Sequence, residues 1–76
     1  MSFLETEFGL APWNRKLKLL RVLNGLTMDE VAGLCKTDKS IYCNWENGKY
    51  YPRRNSIQAI KRAFNLSDAA LKEIFG

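Results

Sequence analysis

The chain has 76 residues, 46% hydrophobic and 26% charged, a composition that suits one small globular domain and leaves no room for a separate catalytic unit. Twelve Lys and Arg oppose eight Asp and Glu for a net charge of +4, and there is no histidine, the commonest general base and a frequent metal ligand. Cys35 and Cys43 cannot close a metal site without other ligands; a disulfide between them is one option, and two free thiols in a reducing compartment are the expected one.

Residues 1–12, MSFLETEFGLAP, mix Phe3, Leu4, Phe8 and Leu10 with Gly9 and Pro12 and read as an N-terminal arm, with the main domain expected over 13–76. Glu5 and Glu7 make this end acidic, and no continuous apolar stretch follows, so a secretory signal is not expected. No apolar run approaches the roughly 20 residues that span a bilayer, and the expected location is the cytoplasm. The pattern then predicts helix 1 over about Trp13–Asn24, with Pro12 at its first turn and Gly25 closing it. Trp13, Leu17 and Leu20 line one face. Leu19, Val22, Leu23 and Leu26 form a second apolar stripe that the N-terminal arm or a second subunit should cover.

Thr27-Met28-Asp29-Glu30 is a capping box, in which Thr27 and Glu30 satisfy each other's orphan backbone donors. It opens helix 2, expected over about Met28–Cys35, whose Val31, Leu34 and Cys35 give an apolar stripe; Cys35 reads as a small core residue. The pattern breaks at Lys36-Thr37. Asp38 offers a second N-cap for helix 3, about Lys39–Asn47, with Ile41, Tyr42 and Trp45 as its stripe and Gly48 as its stop. Lys39, Ser40, Cys43 and Asn44 share the face opposite Tyr42 and Trp45. After the loop Lys49-Tyr50-Tyr51-Pro52-Arg53-Arg54, helix 4 runs from Arg54 or Asn55 to Phe64 and buries Ile57, Ala59, Ile60, Ala63 and Phe64. Ser67 caps helix 5, which buries Ala70, Leu71, Ile74 and Phe75. No segment alternates long enough to form a strand, so the expected fold is all-α, a compact bundle of five short helices around a helix-turn-helix. Between Lys36 and Arg62 stand seven bases and two acids, a balance that suits a polyanion.

Leu17, Leu20, Arg21, Gly25-Leu26-Thr27, Glu30, Val31-Ala32, Trp45-Glu46-Asn47-Gly48-Lys49, Pro52 and Ala63 through Ser67 together resemble the Cro/C1-type (XRE-like) helix-turn-helix family. The resemblance covers about Lys16 to Leu71 and implies a lambda-repressor-like DNA-binding domain. It implies that helix 3 enters the major groove with Lys39, Ser40, Ile41, Cys43 and Asn44 at base edges. Lys39 can bond guanine O6 and N7, Asn44 can pair with adenine N6 and N7, and Ile41 can pack on a thymine methyl. Thr27 and Met28 at the N-terminus of helix 2, Asp38, and the loop residues Lys49, Tyr50, Arg53 and Arg54 would contact the DNA backbone. Asp38 is expected to cap first, and the Tyr50-Tyr51 pair has half-burial against helix 4 as its alternative. The family also implies a structural ion pair, Arg21 with Glu46. The sequence departs from the pattern at Met28, where the family carries glutamine, and at Lys36, where it carries the glycine of the turn. Arg53 and Arg54 replace small polar and leucine residues.

Paired catalytic carboxylates and a nucleophile with its base are both missing, so an enzyme is not expected. The expected function is a sequence-specific transcriptional regulator, in phage, plasmid or bacterial repressor style, with no cofactor and no small-molecule ligand. Its partner is double-stranded DNA with a pseudo-palindromic operator, bound by a homodimer formed through helix 5 or through the helix 1 stripe. The alternative is a protein-interaction module on the same fold, antitoxin-like or an antirepressor partner.

Overall fold

A computed structural model describes residues 11–76; the expected arm falls outside the described residues except for Ala11 and Pro12. Five helices follow one another: α1 (Trp13–Leu23), α2 (Met28–Leu34), α3 (Lys39–Glu46), α4 (Arg54–Phe64) and α5 (Asp68–Phe75). No strand occurs among the described residues. The all-α, five-helix architecture read from the sequence is therefore the one observed, with element ends displaced by no more than one residue.

The helix starts follow local chemistry in three of five cases. Pro12 is extended (φ −68°, ψ 164°) and precedes α1 rather than lying in its first turn, and its carbonyl accepts from the N–H groups of Arg15 and Lys16. At α2 the capping box is complete: Thr27 Oγ1 accepts from the Glu30 N–H at 3.1 Å, and Glu30 Oε1 accepts from the Thr27 N–H at 2.9 Å. Ser67 Oγ accepts from the Ala70 N–H to start α5. Asp38 corrects an expectation. It occupies the N-cap position of α3, but its side chain makes no capping hydrogen bond and is exposed.

Four helices stop the same way, on a residue in the left-handed region: Gly25, Lys36, Gly48 and Asn65. In each the following N–H reaches back to the carbonyl five residues earlier, as in Thr37 to Ala32 and Lys49 to Asn44, both 2.9 Å. This is the Schellman arrangement, which satisfies the orphan carbonyls of a helix end. Lys36 adopts φ 56° there, without the freedom that glycine would have. The Lys36-for-glycine departure thus leaves the turn's geometry in place and puts strain into it.

The core gathers Leu17 of α1, Val31 and Ala32 of α2, Cys35 just after it, Tyr42 and Trp45 of α3, and Ile60 of α4. Trp13, Leu26, Met28, Ala59, Ala63, Phe64 and Phe75 pack around them. Leu34, expected in the apolar stripe of α2, is 52% exposed, and Val22 and Leu23 of the second α1 stripe are 53% and 61% exposed. The second apolar stripe of α1 accordingly faces outward at its C-terminal end. Both cysteines are free thiols, Cys35 buried and Cys43 half-buried.

α5 is fastened at its C-terminal end by two side chains from elsewhere. Lys16 Nζ donates to the Glu73 carbonyl at 2.8 Å, and the Tyr51 hydroxyl donates to the Phe75 carbonyl at 2.9 Å. The Tyr51 ring meets Trp13 edge-on at 5.0 Å and Phe75 at 5.9 Å between centroids. Tyr51 thus braces α1 and α5 instead of packing half-buried against helix 4, because its hydroxyl finds an unpaired helix-end carbonyl there.

Candidate nucleic-acid interface

Helix α3 has two dissimilar sides. Tyr42, Trp45 and Glu46 are buried, Tyr42 completely. Lys39, Ser40 and Ile41 are exposed and Cys43 and Asn44 half-buried, so the five residues expected at base edges lie on the accessible part of one helix. Ile41 is 43% exposed, which leaves an aliphatic side chain available to a partner.

The buried side of α3 is anchored by polar contacts. Arg21 Nε meets Glu46 Oε2 at 2.6 Å and Arg21 Nη2 meets Glu46 Oε1 at 3.2 Å, a two-pronged pair whose side chains are only 12% and 2% exposed. Arg21 Nη1 donates its third bond to the Leu26 carbonyl at 2.9 Å, tying the α1–α2 connection to the same guanidinium. The bond to Glu46 pushes the Arg21 guanidinium above its ordinary value, so it stays charged. Asn14, which the sequence reading did not single out, donates from Nδ2 to the Glu46 carbonyl at 3.1 Å. α1 therefore holds α3 at both the side chain and the main chain of one residue.

The same neighbourhood contains an orphan. The Tyr42 hydroxyl is buried and has no hydrogen-bond partner of acceptable geometry among the described residues. Burial drives its phenol well above the ordinary range, and the nearby Glu46 carboxylate adds to the shift without closing a sound bond. Burial likewise raises the Cys35 thiol, which suits a core residue and not a nucleophile.

Around the exposed side the residues expected at the DNA backbone separate into two groups. Lys49, Tyr50 and Arg53 on the α3–α4 connection and Arg54 at the start of α4 are all exposed, with Lys49 Nζ 5.7 Å above the Tyr50 ring. A cleft of about 390 Å³ opens between this connection and α3, lined by Ile41, Asn44, Trp45, Tyr50, Tyr51, Arg53 and Ser56. The N-terminus of α2 is less open than the sequence suggests. The Thr27 N–H is taken by Glu30, the Glu30 N–H by Thr27, and the Met28 side chain packs on the core. Among the described residues, the other two donors of that turn, the N–H groups of Met28 and Asp29, have no hydrogen-bond partner. At the start of α3 the Lys39 ammonium lies 3.4 Å from Asp29 Oδ2, an ion pair between the two helices of the motif. Asp29 carries no signal in the sequence beyond its place in the capping box, because the pairing depends on how α2 and α3 cross.

Comparison with known proteins gives the family of the domain. A family model described as a helix-turn-helix domain matches residues 14–73, from α1 into α5. The chain is 31% identical over 55 residues to the HTH-type transcriptional activator BcrR of Enterococcus faecalis, an alignment covering 72% of this chain and 27% of that protein. No solved structure matches. With the capped α2, the left-handed turn at Lys36 and the anchored α3 all inside the matched span, the chain belongs to the helix-turn-helix domain family, of the XRE type.

Proposed function

We propose that this chain is a sequence-specific DNA-binding transcriptional regulator that reads the major groove with α3. The observation that carries the reading is the division of α3: one side pinned by Arg21, Asn14 and the core, the other presenting Lys39, Ser40, Ile41, Cys43 and Asn44. A reading helix must be held rigidly while its outward groups stay free. Lys39 donates to guanine and Asn44 pairs with adenine, while Ile41 packs on a thymine methyl. Lys49, Tyr50, Arg53 and Arg54 grip phosphates and set the register without reading sequence. Of Thr27 and Met28, the N–H of Met28 is the donor that could meet a phosphate, since the Thr27 N–H is taken by Glu30; Asp38, a carboxylate that phosphate repels, would accept from cytosine N4 instead. A homodimer on a pseudo-palindrome with half-sites about one helical turn (~10 bp) apart suits this docking. Repression by occupying a promoter is the simplest consequence, and a reporter gene behind the selected site gives the sign.

The test is selection of bound duplexes from random oligonucleotides, followed by titration of the winner across a salt series. Neutralising about six phosphates gives a slope of log K against log salt near −5. Binding that is absent at low salt, or indifferent to salt, removes the proposal. One observation favours a second reading. Val22, Leu23 and Leu34 are exposed apolar side chains on α1 and α2 and would suit a protein partner. A chain acting mainly as such a module would show no salt-dependent shift with any duplex.

A further inference from the structure

The Lys39–Asp29 pair joins the helix that would approach phosphate to the helix that would read bases. Its two side chains are 58% and 71% exposed, so in the free protein it contributes little to stability. Its position is more informative than its strength. Lys39 adjoins Asp38 in sequence, yet the carboxylate it pairs with is Asp29 on α2. Of the other acidic groups at these helix starts, Glu30 is engaged with the Thr27 N–H.

A lysine is a flexible point charge with three donors, and beside DNA the strongest negative potential it meets comes from phosphates, which carry no sequence information. A carboxylate next to it changes that choice. Asp29 repels a phosphate but not the uncharged edge of a base pair. The ammonium can keep one N–H on Asp29 and turn the others to guanine O6 and N7. Resting on the DNA-reading proposal above, we infer that Asp29 is a specificity-determining residue, which directs Lys39 to base edges at the expense of sequence-independent affinity.

The full chain and its D29N, D29E, K39M and D29N/K39M variants are titrated with the selected duplex and with a scrambled duplex of equal length, over a salt series. D29N is expected to tighten scrambled binding about fivefold, the upper end for one exposed pair, and to change binding of the selected duplex by less than about twofold. Its salt slope on scrambled DNA steepens by about one unit as the freed Lys39 finds a phosphate. D29E, which keeps the charge, retains the wild-type ratio of selected to scrambled affinity. In the K39M background D29N leaves that ratio unchanged. The inference is overturned if D29N tightens both duplexes equally, or if its effect persists without Lys39, since either marks simple repulsion. Absence of binding by the wild-type chain to both duplexes overturns the DNA reading, and this inference with it; loss of the D29N effect in a chain that binds overturns the inference alone.

Discussion

Tyr42 and Lys36 are the residues whose environments disagree with their chemistry. The buried Tyr42 hydroxyl lacks a partner among the described residues, and a buried unsatisfied group costs about 1–3 kcal/mol. Tyr42→Phe is therefore expected to be neutral or to stabilise by up to about 1 kcal/mol in urea unfolding; a loss larger than that would mean the hydroxyl has found a bond. The same variant changes the response to alkali. The Tyr42 and Cys35 values are both raised by burial from 10.0 and 9.0, so their contribution is complete below those values and is lost as pH climbs beyond them, because the unfolded chain ionises first. Wild-type stability should fall above about pH 9, and Tyr42→Phe should flatten the part of the decline beyond pH 10. Lys36 stores strain of a different kind. A left-handed L-residue costs about 1–2 kcal/mol, of which glycine's greater unfolded entropy returns about 0.5–1. Because Lys36 is exposed, Lys36→Gly is expected to stabilise by roughly 0.5–1 kcal/mol by thermal melting. An unchanged or lowered Tm would show that the strain is relieved elsewhere.

The ends of the helices carry the architecture. Each of α1 to α4 closes on a left-handed residue, so the connections are short and the helices are placed by their caps as well as by the core. At the end of α3, Gly48 has φ 74°, and a Cβ there would meet the Asn14 side-chain amide at 3.1 Å. The approach is what lets Asn14 reach the Glu46 carbonyl. Glu46 itself joins α1 to α3 through Arg21. Removing one partner of a buried, hydrogen-bonded pair costs about 3–5 kcal/mol. For a domain of this size each kcal/mol is about 4–8 °C. Glu46→Ala is thus expected to lower Tm by more than about 10 °C and to weaken DNA binding by unfolding α3 from its seat. A loss under about 0.5 kcal/mol would reduce the pair to a surface contact.

At the scale of the molecule, exposed apolar side chains occur on the basic side too, where Ile41, Tyr50 and Tyr51 stand among the bases. The bases of the α3–α4 connection flank the outward residues of α3, while Val22, Leu23 and Leu34 lie exposed on α1 and α2. No helix among the described residues is long and apolar enough to cross a membrane. A cleft of about 310 Å³ between α4 and α5, lined by Tyr51, Ile57, Leu71, Lys72 and Phe75 among others, gives α5 a partly apolar surface. Of the two proposed dimer surfaces, Leu23→Glu probes the α1 patch and Leu71→Glu the α5 groove. Sedimentation equilibrium of the wild-type chain is expected to give a dimer mass, and the variant that yields a monomer identifies the surface. A wild-type monomer at all concentrations, with or without the selected duplex, would remove the homodimer.

The sequence by itself determined the five helices, their order and most of their ends, because capping boxes, left-handed stops and a 3.6-residue apolar period are local signals. Thr27–Glu30, Ser67 and Gly48 are each interpretable within a few residues of chain. It also determined that Lys39, Ser40, Cys43 and Asn44 oppose Tyr42 and Trp45, since a helix's faces follow from spacing alone. The Arg21–Glu46 pair was accessible through the family resemblance, with no local signal of its own. What the tertiary structure decided involves partners far apart in the chain. Asn14 on Glu46, Lys16 and Tyr51 on the end of α5, Lys39 on Asp29 and the stranded Tyr42 hydroxyl all depend on the angles at which helices cross. The outward turn of Val22, Leu23 and Leu34 has the same origin: an apolar stripe states a preference for burial, and the packing of the other helices determines whether anything covers it.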